Sequence, residues 1–123
     1  MLTPIAYGLA IVLNLMVVWI GISFLAQPKV AAAGYGVAAK ENGDAVYLTI
    51  KGVRDGTYGL LGLALLAFAG AHAEAWFMLV VALAPIADTL IVLRNGGKKA
   101  VAYGIHTLTA VIMLINAALL FAV

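Results

Sequence analysis

Six ionisable side chains stand inside or beside otherwise apolar stretches of this sequence: Lys51, Arg54, Asp55, Asp88, Arg94 and His106. Lys51, Arg54, Asp55 and Tyr58 follow i, i+3, i+4, i+7 spacing, so on a helix they share one face, which Tyr47 extends. A carboxylic acid in apolar surroundings titrates far from its value in water and can trade a proton with a neighbouring imidazole. Asp55, Asp88 and His106 are therefore the candidate catalytic residues, as acid, base or partner. Lys51, Arg54, Tyr58, Arg94 and Tyr103 are the candidate ligand-binding residues, with Arg54 and Lys51 suited to an anionic or oxygenated head group. Chemistry that needs only proton transfer fits such a set: isomerisation, cyclisation or epoxide opening. The bland alternative is a salt-bridge network, in which Asp55 and Asp88 neutralise Lys51, Arg54 or a protonated His106 and set the register of a helix bundle.

Other chemistries are excluded or unsupported. The chain has no cysteine, which removes disulfides, thiolate catalysis and cysteine metal sites. His72 and Glu74 stand close together but are too few to make a metal site, and no nucleotide motif or cofactor signature is present. The net charge of +2 comes from basic residues scattered through an apolar chain, not from a stripe that would bind nucleic acid.

The elements that must carry these residues follow from composition. Of 123 residues, 66% are hydrophobic and 10% charged, and the mean hydropathy is +1.14. A soluble domain of this size could not cover so much apolar surface with so few charges, so the expected solvent is lipid. Four predominantly apolar runs, the first without a charge, predict spans at about 4–26, 46–70, 73–93 and 100–123, joined by a loop at 27–45 and two short turns. The first run has no basic residue before it and is longer than a signal h-region, which reads as a retained helix despite the Ala31–Ala33 stretch. The expected fold is an all-α membrane protein, a single domain over 1–123 built as an up-and-down bundle of four transmembrane helices.

Orientation follows from the basic residues. Lys29 and Lys40 fall after the first run, and Arg94, Lys98 and Lys99 after the third, whereas the other three ends carry no Lys or Arg. The positive-inside rule then puts both termini outside and the basic loops in the cytoplasm, in an integral multi-pass protein (of the inner membrane, in a bacterium). With about 1.5 Å of rise per residue and a core about 30 Å thick, Asp55 lies about 8 Å, Asp88 about 10 Å and His106 about 9 Å inside the cytoplasmic boundary. Gly52, Gly56 and Gly59 form a small-residue stripe that lets another helix approach, within the chain or in a homo-oligomer. Pro85, one turn before Asp88, is expected to kink its helix and free a carbonyl near the acid. Asn14 and Asn116 are expected to bond another helix or a backbone carbonyl.

The motifs Lys51-Gly52-Val53-Arg54-Asp55 with Tyr58-Gly59, Asp88, Leu93-Arg94-Asn95-Gly96-Gly97, Ala102-Tyr103-Gly104 and His106 resemble a family of small multi-span membrane proteins from bacteria and fungi, a domain of unknown function. The resemblance covers the last three spans and implies the same polar set, with no activity attached. Taken together, the sequence predicts a membrane protein whose buried polar site binds a lipophilic small molecule, with proton-transfer catalysis as its chemistry. The alternatives are a non-enzymatic subunit of a membrane complex or a lipid- or pigment-binding accessory protein, and then a small dimeric transporter. The last lacks the membrane-embedded Glu that small multidrug transporters carry in their first helix.

Overall fold

The computed structural model describes residues 1–40 and 44–123, so the Glu41-Asn42-Gly43 part of the expected 27–45 loop lies outside the described residues. Among the described residues all regular structure is helical: α1 is Leu2–Ala26, α2 Pro28–Tyr35, α3 Asp44–Ala64, α4 Ala71–Arg94 and α5 Lys99–Ala122. α1, α4 and α5 are each long and apolar enough to cross a membrane. Outward-facing side chains agree with a lipid environment, since Trp19 of α1 and Trp76 of α4 are 66% and 61% exposed.

α3 continues into a π-helical turn at Leu65–Ala69, and α5 contains another at Ala102–Thr107. α4 is interrupted at Ala82 between Ala71–Val81 and Leu83–Arg94. Pro85 explains the break, because it has no N–H to answer the carbonyl four residues back. That carbonyl belongs to Val81, two turns before Asp88 and not beside it as expected from the sequence.

Glycine sets the closest helix contact. A Cβ added at Gly21 would lie 2.5 Å from the Gly56 nitrogen and 2.6 Å from the Gly52 carbonyl oxygen. One added at Gly59 would lie 2.6 Å from the Asn14 carbonyl oxygen, and one at Gly62 would collide with the Asn14 amide. The stripe on α3 therefore packs backbone to backbone against α1, which leaves it committed inside the chain. Elsewhere the core is built from small and flexible side chains: Ala6, Ala10 and Leu13 of α1, Ala75 and Met78 of α4, and Met113, Ala117 and Leu120 of α5.

The two ends of the bundle differ in charge. At one end, a Cβ on Gly97 would lie 2.5 Å from the Gly36 carbonyl oxygen, so the loops carrying Lys29, Lys40, Lys98 and Lys99 meet. At the other, Phe121 packs against His72 and Trp76 at ring separations of 6.0 and 5.1 Å. α2 occupies the basic end. Pro28 starts it and Gly36, at φ 109°, closes it in the left-handed geometry that glycine adopts without strain.

Candidate functional site

The residue that organises the site is Tyr35, the last of α2. Gly36 turns the chain away immediately after it, and this leaves the Tyr35 ring half-buried among the other helices. Its hydroxyl donates a hydrogen bond to Asp88 Oδ2 of α4. Its backbone carbonyl accepts one from His106 Nε2 of α5 at 2.7 Å, and the two rings lie 4.3 Å apart. Phe24 of α1 meets it edge-on at 5.6 Å. From α3, the Lys51 ammonium sits 4.3 Å from the Tyr35 ring centre and 4.7 Å from that of Phe24, in cation–π geometry. Lys51 in turn pairs with Asp55 at 2.6 Å, one helical turn along α3.

The electrostatics of the set follow from these contacts. Burial, then the charge and hydrogen bond of Asp88, and then the charge of Asp55 push the Tyr35 phenol far above its usual range. Tyr35 therefore acts as a donor throughout the physiological range. The His106 tautomer is also fixed, since a carbonyl only accepts: Nε2 carries the hydrogen, and Nδ1 is the remaining acceptor of the neutral ring. His106 is 3% exposed and belongs to the π-helical turn of α5. Such turns place a side chain out of α-helical register and recur at functional sites. Beside it, the Thr89 hydroxyl donates to that of Thr107 at 3.0 Å and Thr107 donates to the Ala102 carbonyl at 3.3 Å, which ties α4 to α5.

These residues border a cavity of about 340 Å³. Its polar wall includes Tyr35, Asp55, Tyr58, Asp88 and His106, and its apolar wall includes Met16, Trp19, Phe24 and Met113. Of the residues singled out from the sequence, Asp55, Tyr58, Asp88 and His106 thus come together around one space. Lys51 reaches its edge through the two rings. Arg54, Arg94 and Tyr103 do not line it and are exposed.

A second polar set lies toward the other end of the bundle. Asn14 Nδ2 donates to Glu74 Oε1 at 2.7 Å, and Asn116 Nδ2 donates to the Ala6 carbonyl at 2.9 Å. Glu74 and Asn116 are fully buried, and Glu74 Oε2 and Asn116 Oδ1 have no partner among the described residues. The two asparagines bond as expected, one to another helix and one to a backbone carbonyl. Among the described residues, no group of three or more His, Asp or Glu side chains is arranged to hold a metal ion.

Sequence reasoning missed Tyr35 and the depth of Glu74. For Tyr35 a usable signal existed, because Pro28 and Gly36 bracket eight residues as helix start and stop. For Glu74 there was none, since its place in the third run put it within a turn of the boundary.

No curated protein and no solved structure matches this chain. A family profile described as a domain of unknown function (DUF4267) matches residues 14–120. The match is wider than the motif-bearing segments, taking in α1 from Asn14 onward and the whole of α2 with Tyr35. With most of its length matched, including every residue that borders the cavity, the chain belongs to the DUF4267 family.

Proposed function

We propose that this protein crosses the bilayer four times, through α1, α3, α4 and α5, and binds a lipophilic small molecule in the cavity among them. The observation that carries the binding reading is the convergence of Asp55, Asp88 and His106, from three helices, on one largely apolar space of about 340 Å³. That volume falls in the range of small-molecule sites, about 300–1,000 Å³. Ionisable groups kept at membrane depth are functional candidates by default. The fourth span is supported by charge placement on α3: Asp44, Lys51, Arg54 and Asp55 all precede Gly56, and no charge follows through Ala69. The gathering of both basic loops at one end supports a cytoplasmic location for that end and an outer one for both termini.

The same groups are equipped to move a proton. Tyr35 holds a proton against Asp88, and His106 offers Nδ1 as an acceptor while its Nε2 is spent on a carbonyl. Isomerisation, cyclisation or epoxide opening of the held molecule is the chemistry this reading allows. One observation favours the non-enzymatic accessory reading for part of the set: Lys51 and Asp55 already neutralise each other within a single helix, as a structural pair does.

Gly34 supplies the test. It borders the cavity, and a Cβ built on it meets nothing within 4 Å. Gly34→Leu should fill the space without straining the fold. Wild-type protein in nanodiscs should co-purify with a hydrophobic small molecule detectable by mass spectrometry, and Gly34→Leu should lose it. Equal retention by both proteins would place the molecule elsewhere and sink the cavity reading. Topology is checked separately with single cysteines at Lys98 and His72 in this cysteine-free chain, labelled by a membrane-impermeant maleimide in oriented vesicles. Labelling of both from one side would remove the four-span arrangement.

A further inference from the structure

The hydrogen-bonding groups around the cavity are lopsided. Four donors on its wall are already spent: Tyr35 on Asp88, His106 Nε2 on the Tyr35 carbonyl, Ser23 on the Trp19 carbonyl and Thr109 on the Ile105 carbonyl. The acceptors are not. Asp55 and Asp88 each commit Oδ2, to Lys51 and Tyr35, and among the described residues neither Oδ1 has a partner. The charge is lopsided too. Lys51 neutralises Asp55, whereas among the described residues Asp88 is paired only with a neutral phenol. Arg54 and Arg94, which the sequence offered as cations for an anionic head group, do not line the space.

An apolar cavity whose open polar groups are acceptors, one of them an uncompensated carboxyl, is complementary to a cation that donates hydrogen bonds. Aromatic rings strengthen the match. Trp19 and Tyr58 border the same space, and the Lys51 ammonium already rests on the faces of Phe24 and Tyr35 at its edge. We infer that the cavity takes a lipophilic amine, its ammonium held by Asp88 with Asp55 close by and its apolar body against Met16, Trp19 and Met113. The inference rests on the ligand-binding reading above and adds the charge and polarity of the ligand. An alcohol of the same skeleton could donate one hydrogen bond to Asp88 but brings no charge to offset the carboxylate. Among the described residues on the wall, a carboxylate would find free donors only in the neutral Tyr58 hydroxyl and Trp19 indole N–H, and it would face Asp88 with like charge.

The experiment compares 2-(2-naphthyl)ethylamine, 2-(2-naphthyl)ethanol and 2-naphthylacetate, which share one apolar body and differ in the head group. Each is equilibrated by dialysis against phosphatidylcholine nanodiscs with and without the protein, and the excess over empty discs is read. The amine should bind about tenfold or more tighter than the alcohol, the difference between an ion pair and a single hydrogen bond from a neutral group, and the acid more weakly than either. Asp88→Asn should erase the advantage of the amine, so that amine and alcohol bind that variant within about threefold of each other. Equal binding of all three, or strongest binding of the acid, overturns the amine inference and leaves the cavity as a site for lipophiles. Binding of none above empty discs overturns the ligand-binding reading and the inference with it. Undiminished amine binding by a folded Asp88→Asn protein overturns the assignment to Asp88. If that variant does not fold, the ranking of the three ligands on the wild-type protein decides alone.

Discussion

Removing one oxygen atom, in Tyr35→Phe, separates the hydrogen bond to Asp88 from every other contact of that residue. The backbone carbonyl still receives His106 Nε2, and the ring still meets Phe24, His106 and the Lys51 ammonium. A hydrogen bond to a charged group contributes about 1.5–3 kcal/mol, and Asp88 is only partly buried, so the expected loss is about 1–2 kcal/mol. Tyr35→Ala also removes the ring, and for a half-buried aromatic that adds about 2–3 kcal/mol, below the 3–5 kcal/mol of a fully buried one. Unfolding by SDS in mixed micelles, followed by far-UV circular dichroism, resolves both steps. A double-mutant cycle with Asp88→Leu isolates the pair, and its coupling energy should be about 1–2 kcal/mol. A coupling below about 0.3 kcal/mol, or a Tyr35→Ala protein no less stable than Tyr35→Phe, would refute the placement of Tyr35 at the centre of the site.

Further outcomes follow from the same contacts. Tyr35 titrates above an unfolded value near 10, so its contribution is fully present below about pH 10 and is lost as pH rises beyond it. Between about pH 9.5 and 11 the wild-type protein should lose stability more steeply than Tyr35→Phe in the same SDS assay, and parallel curves would contradict this. In the glycine stripe, Gly59→Ala and Gly21→Ala should cost about 1–3 kcal/mol by forcing α1 and α3 apart. Gly56→Ala, whose Cβ meets nothing within 4 Å, should be neutral or stabilising by up to about 1 kcal/mol. Asn14→Leu should destabilise by about 1–3 kcal/mol because both oxygens of the buried Glu74 then lack a partner. Glu74→Gln, which keeps an acceptor for Asn14, should cost less, and the two variants falling in the opposite order would argue against the pair.

The apolar runs announced α1, α4 and α5 to within about two residues, because a helix that must satisfy its own backbone in lipid leaves few alternatives. Asp55, Asp88 and His106 were legible for the same reason: a charge inside such a run is costly and stands out. Direction around the helix was less legible. Lys51, Arg54, Asp55 and Tyr58 cover a broad arc of α3, and only packing against α1 decides that Asp55 and Tyr58 border the cavity while Arg54 faces away from it. The asparagine pairs were legible in kind and not in partner. Depth counted along a straight helix could not anticipate that Glu74, three residues into α4, would be reached by Asn14 from α1. The π-helical turn around His106 leaves no composition signal, since Ala102 to Thr107 reads as ordinary helix.

The segment after α1 is where composition is least informative and structure most so. Its alanines, glycines and lysines read as a connector, yet α2 brings one aromatic side chain to four other helices at once: Phe24, Lys51, Asp88 and His106 each come from a different one. Its position is held at the far side by the contact between Gly36 and Gly97, so the turn between α4 and α5 fixes where Tyr35 stands. A Cβ at Gly97 would press on the Gly36 carbonyl and on Val92, and because Gly36 adjoins Tyr35, the displacement would reach Asp88 and His106. Gly97→Ala should therefore weaken retention of the proposed ligand although Gly97 touches no part of the cavity wall, whereas Gly8→Ala, built into open space away from the cavity, should not. Ligand retention in nanodiscs distinguishes the two, and loss in both or in neither would mean that α2 does not set the geometry of the site.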